Sequence, residues 1–254
     1  YLHGGDTALV TMQYSFLPSW ISLLADQQNA TDSGKALFEA VYSHWASLPE
    51  TERPKLITYG LILGSFGMQA AFSGASDLAA RTDGALFVGT PNFTEPWATF
   101  TRDRTAGSPE IKPVYGDSSI VRFSNGLRDL QQTSADWASS SKVLYVQHPS
   151  DPIVWWNPSL ILNKPDWLAE PRGYDVSPRT QWYPFITFLQ VTVDQFFGVD
   201  MPAGHGHDYV DSSVAAWQTV VPNTKLSGAD ITRLQQHINR VITGDENQQI
   251  NTVT

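Results

Sequence analysis

Three places in the sequence could together carry nucleophilic chemistry. At positions 60–64 the chain reads Gly60-Leu61-Ile62-Leu63-Gly64, with glycines at the spacing of G-x-S-x-G. In that pattern a nucleophile sits on a sharp strand-to-helix turn, and small flanking residues let the backbone fold tightly around it. Asp151 stands in Ser150-Asp151-Pro152, four residues past an apolar run. A carboxylate there can accept the Nδ1–H of a histidine and fix its tautomer. His205 and His207 lie in Gly204-His205-Gly206-His207-Asp208, and either could act as general base. Nucleophile, acid, histidine is one of the known chain orders for a covalent acyl-transfer triad. The central residue of the first site, however, is Ile62, which has no nucleophilic atom.

The neighbouring residues refine this reading. His205 is the preferred base, because Met201-Pro202-Ala203-Gly204-His205 follows an apparent strand end at 199–201. His207 is then a second cleft residue. His-x-His with Asp208 or Asp211 could also begin a metal site, although no third histidine is placed to complete it. His148 reads as a residue that shapes the Asp151 loop, and His3, His44 and His237 have no motif around them. Ser65 lies three residues beyond Ile62, about 4.5 Å along a helix axis. It reads as packing the helix on the sheet, not as a replacement nucleophile. β-Branched residues tolerate positive φ badly. The run Leu61-Ile62-Leu63 is therefore expected to relax into a longer strand or to pack as an apolar plug.

The elements that must position these residues alternate. Strands are expected at 7–14, 56–59, 84–89, 120–123 and 142–147, from short β-rich apolar runs. Helices are expected from a cap at Asp32 or Ser33 to about Leu48, with Ala36, Leu37, Ala40, Val41 and Trp45 on one face, and at 64–78, 185–197, about 212–220 and 227–241. Alternation of this kind argues for an α/β fold: a mostly parallel sheet with helices on both faces, its site beyond the carboxyl ends of the strands. Residues 1–254 read as one domain whose first strands are expected upstream of Tyr1. The Trp- and Pro-rich stretch 155–183 reads as a cap or lid.

Composition bounds the function. The chain carries a formal charge of −9 and no basic run, which argues against nucleic acid as a partner. It has no cysteine, which excludes disulfides, thiolate metal sites and a Cys nucleophile. No cofactor is expected. Nine Trp and sixteen Pro suggest long ordered loops and a partly aromatic cleft.

The strings MQYSFLPSWISLL, QHPSDPIVWW, PDWLAEPRGYDVSP and GHGHDY resemble the α/β-hydrolase domain of membrane-anchored hydrolases of actinobacteria. The resemblance covers roughly residues 1–220. It implies an α/β-hydrolase fold and ester hydrolysis or acyl transfer by a Ser-His-Asp triad on a small-molecule or lipid ester. It implies that Asp151 and one of His205 and His207 complete the triad, with the serine seat falling on Ile62. It places half of an oxyanion hole at the backbone N–H of Leu63. It further implies membrane helices and a Gly-Thr-Gly loop outside this chain, hence an extracytoplasmic or membrane-associated setting. Loss of the serine leaves a second reading open, a pseudo-enzyme that binds a ligand or acts as a scaffold.

Overall fold

The computed structural model describes residues 2–14, 26–134, 137, 141–198, 201–221 and 226–242. Its centre is a four-stranded, all-parallel sheet: β1 (Ile57–Leu61), β2 (Gly84–Val88), β3 (Val121–Ser124) and β4 (Lys142–Val146), in the order β1-β2-β4-β3. The register aligns the strand ends, with Leu61 opposite Val88 and both Val88 and Ser124 opposite Val146. All three loops that follow β1, β2 and β4 therefore leave the sheet at one edge.

Alternating side chains serve two cores. Ala85, Phe87, Val143 and Tyr145 face one core, which also holds Phe38, Leu78, Trp97, Phe100 and Trp155. Leu86, Val88, Leu144 and Val146 face the other, with Leu130, Ala216 and Val220. A parallel sheet is buried on both faces, and here helices cover each: α1 (Gln27–Ser47), α3 (Ala75–Arg81) and α4 (Trp97–Arg102) on the first side, α5 (Leu127–Ser134) and α9 (Val210–Val220) on the second.

Helix α2 (Leu63–Gln69) follows β1 and lies against α1 with almost no space between them. A Cβ on Gly34 would fall 2.1 Å from the Gly67 carbonyl oxygen, and one on Gly67 would fall 2.4 Å from that of Ala30. The buried face of α1 is accordingly Ala30 and Phe38, with Gly34 at the crossing. Ala36 and Ala40, expected inward, are exposed, because the stripe that meets α2 and the core runs through Ala30, Gly34 and Phe38 instead.

Several other expectations are corrected. Residues 7–14 form no strand: Leu9 and Val10 are exposed and no ladder partner lies among the described residues. The helix expected over 64–78 divides into α2 and α3 around a turn at Ala70 and Ala71. No strand feeds the histidine loop among the described residues. Instead the chain arrives from α8 (Ile186–Asp194) through turns, and Val199 lies outside the described residues. Within 155–183 the structure has only a 3-10 turn at Pro158–Ile161 and the short helix α7 (Asp166–Ala169), following α6 (Pro152–Trp155). Leu160, Trp167 and Leu168 from this stretch are buried in the first core. Helix α10 (Gly228–Ile242) packs on α9.

Candidate functional site

The elbow is formed in spite of its sequence. Ile62 follows β1 with φ 55° and ψ −115°, and Leu63 begins α2 directly. The turn does not relax into a longer strand. Its N–H donates to the Val88 carbonyl at 2.9 Å, and its own carbonyl accepts from Phe66 N–H at 3.0 Å, so both backbone groups are used by the strand-to-helix reversal. Gly60 permits that reversal: a Cβ there would fall 2.4 Å from Ser65 Cα. The Ile62 side chain is half-buried and packs against the cluster of Ala30, Leu63 and Ile153, on which Phe66 and Phe93 also pack.

Ser65 is fully buried beneath this turn. Its hydroxyl shares a 2.6 Å hydrogen bond with Thr90 and accepts one from Gln69 Nε2 at 2.9 Å. Gln69 Oε1 in turn accepts from the Tyr145 hydroxyl at 2.7 Å. The network ties α2 to the loop after β2 and to β4.

Asp151 caps α6, and its side chain is completely buried. Oδ1 accepts from the backbone N–H of Ile153 at 2.8 Å and of Val154 at 3.4 Å. Oδ2 lies 2.6 Å from His207 Nδ1 and accepts from the Tyr209 hydroxyl, also at 2.6 Å. A carboxylate only accepts, so Nδ1 carries the proton. In the neutral ring Nε2 then keeps its lone pair. Nε2 is buried and has no hydrogen-bond partner among the described residues.

The histidine that meets Asp151 is thus His207. The geometry favours His207 over His205: His205 is exposed, and among the described residues its Nδ1 meets only the Ala203 carbonyl, at 3.3 Å. The reason is local. The loop turns at Gly204 and Gly206, both with positive φ, and this reversal sends alternate residues to opposite sides.

Gly89 follows β2 directly and lies beside the Asp151–His207 pair. Its φ is +60°, and a Cβ there would fall 3.1 Å from His207 Cε1 and 3.6 Å from Asp151 Oδ2. The elbow follows β1 and Asp151 follows β4, and β2 lies between those two strands, with Ile62 N–H bonded to the carbonyl of Val88 at its end.

The acid and histidine loops are stitched by further bonds that the sequence reading did not identify. Gly206 N–H donates to Ser150 Oγ at 2.8 Å, and Ser150 Oγ donates to Asp175 Oδ2 at 2.6 Å. His148 is buried, with Nδ1 3.0 Å from the Gly206 carbonyl and its ring stacked on Tyr209 at 4.2 Å. His148 N–H donates to the Tyr209 hydroxyl at 3.1 Å. Tyr209 is the principal residue missed. Burial first, then the Asp151 charge and hydrogen bond, hold its phenol well above the ordinary tyrosine pKa, so it stays a donor. Its place two residues after His207 was the available signal. Among the described residues no group of three or more His, Asp or Glu side chains is arranged to hold a metal ion.

A strand, a sharp turn and a helix, followed along the chain by an acid loop and a histidine loop over the carboxyl edge of a parallel sheet, define the α/β-hydrolase class. The alpha/beta-hydrolase family model matches residues 1–234, and the chain belongs to that family. No curated protein and no solved structure matches the chain.

Proposed function

We propose that this chain carries the acid–histidine half of an ester-hydrolase or acyl-transfer site, with Asp151 orienting His207 as base and Ile62 occupying the nucleophile seat. The observation that carries the proposal is Ile62 at φ 55° and ψ −115°, in the strained turn that an exposed nucleophile would need. With a serine in that seat, His207 Nε2 would take its proton, and the Leu63 N–H would supply part of an oxyanion site. With isoleucine there, no acyl-enzyme can form.

As it stands, the chain is therefore a ligand-binding member of a hydrolase family, without covalent turnover. The ligand class it favours is a small-molecule or lipid ester. Leading into the histidine loop, α8 and its flanks leave Phe185, Ile186, Leu189, Val193, Phe196 and Phe197 more than half exposed, an apolar strip suited to acyl chains. An extracytoplasmic or membrane-associated setting rests on the sequence resemblance alone. No helix among the described residues is long and apolar enough to cross a membrane.

The discriminating experiment is a short-chain p-nitrophenyl ester assay with a fluorophosphonate probe in parallel, on the unaltered chain. The expected result is no probe on any serine and turnover at background. Covalent labelling of a serine would overturn the non-catalytic reading.

A further inference from the structure

The donors that meet the Asp151 carboxylate differ in kind. Oδ1 accepts from two backbone groups, the N–H of Ile153 and of Val154, in the helix that Asp151 caps. Oδ2 is met by two side chains, His207 through Nδ1 and Tyr209 through its hydroxyl, each at 2.6 Å. An ionised carboxylate offers about four acceptor positions, so this one is filled. Tyr209 is the donor that a Ser-His-Asp scheme does not call for.

The Tyr209 hydroxyl has little freedom. Its oxygen accepts the His148 backbone N–H at 3.1 Å, and its own hydrogen goes to Asp151 Oδ2. The ring is stacked on the His148 imidazole, with centroids 4.2 Å apart, and meets the His207 ring edge-on at 5.7 Å. Gly89 makes room for both rings: a Cβ there would fall 3.1 Å from Tyr209 Cε2 and from His207 Cε1. The phenol is thus fixed by the acid loop from behind and faces the pair with its hydrogen.

We propose that Tyr209 is a positioning residue for the Asp151–His207 pair: its hydroxyl occupies one side of Asp151 Oδ2, leaves the other to His207 Nδ1, and so holds the shared proton on nitrogen and Nε2 bare. This role rests on the reading of His207 as the base, and names the group that decides how that base is held.

Charge explains the proton's place. A carboxylate oxygen that already accepts a phenol hydrogen has less charge left for a second donor. The proton between Oδ2 and Nδ1 therefore stays with the imidazole. Without the phenol, Oδ2 pulls that proton harder, and the carboxylate loses one of the contacts that fix its plane.

Proton NMR of the otherwise unaltered chain reads the His207 Nδ1–H directly, the signal being assigned by its loss in His207→Gln. Tyr209→Phe keeps the ring, with its stacking on His148 and its place in the second core, and removes only the hydroxyl. The Nδ1–H signal is expected to move downfield in this variant. Replacing tyrosine throughout by a ring-fluorinated tyrosine makes the phenol a stronger donor without any substitution, and is expected to move the signal upfield. A signal that stays in place in both, or moves in the opposite senses, overturns the proposal. In Ile62→Ser, adding Tyr209→Phe should lower kcat for a p-nitrophenyl ester about tenfold while KM stays within about twofold, as befits a group that holds the base and touches no substrate. A raised KM with kcat kept would overturn the proposal. An Ile62→Ser chain with no turnover would count against the nucleophile seat instead, and the NMR shifts would still decide the role of Tyr209.

Discussion

Ile62 costs the fold energy. A β-branched residue held at positive φ is strained by roughly 1–3 kcal/mol, and the half-buried side chain returns part of that by packing against the cluster of Ala30, Leu63 and Ile153. The strain is sustained because both neighbours of the turn are fixed: Gly60 passes against Ser65, and the Ile62 N–H is committed to β2. Gly60→Ala should therefore destabilise the protein by about 1–3 kcal/mol, since the added methyl meets backbone and not a flexible side chain. A shift in the denaturant midpoint at constant m-value would measure it. Tyr145→Phe tests the network beneath the elbow. It strands the buried Gln69 Oε1, whose only side-chain donor among the described residues is that hydroxyl, and should cost about 1–3 kcal/mol in the same assay.

The elements explain which parts of the site could be read from sequence. β2 and residues 143–146 of β4 are short apolar runs buried on both faces, and that composition is local enough to be recognised. Asp151 was legible for a similar reason: a carboxylate just after such a strand, before a proline, is both a helix cap and a site candidate. The choice between His205 and His207 was not legible. It depends on two glycine turns and on bonds from Ser150 and His148, which lie about sixty residues away. The loop geometry yields a paired expectation. With serine introduced at position 62, His205→Ala should leave fluorophosphonate labelling within about twofold, whereas His207→Ala should abolish it, since only His207 meets Asp151. Equal effects of the two changes would contradict the assignment of the base.

Across the whole molecule, stability should depend on pH in a way set by its raised carboxyls. Glu110, pushed up to about 7 chiefly by burial, binds its proton more tightly in the folded state than in the unfolded one. Its contribution is present in full below about 4.5 and is lost as pH rises through about 7, with a slope of at most about 1.4 kcal/mol per pH unit. Asp211, also raised by burial, acts with the same sign. Denaturant midpoints should fall from pH 5 to pH 7 and change little from pH 7.5 to pH 8.5, and Glu110→Gln should remove most of the fall. At this scale, what makes the fold and what makes the chemistry are separate demands. The parallel sheet, its helices and the two loops need only generic burial and tight turns, whereas acyl chemistry needs one oxygen at one position. The most direct measurement is therefore on Ile62→Ser in this chain, treated with a fluorophosphonate and mapped by peptide mass spectrometry. Covalent modification confined to position 62, and lost with His207→Ala, is the expected result. A folded Ile62→Ser protein that stays unmodified would contradict the claim that Asp151, His207 and the turn at 62 form one site.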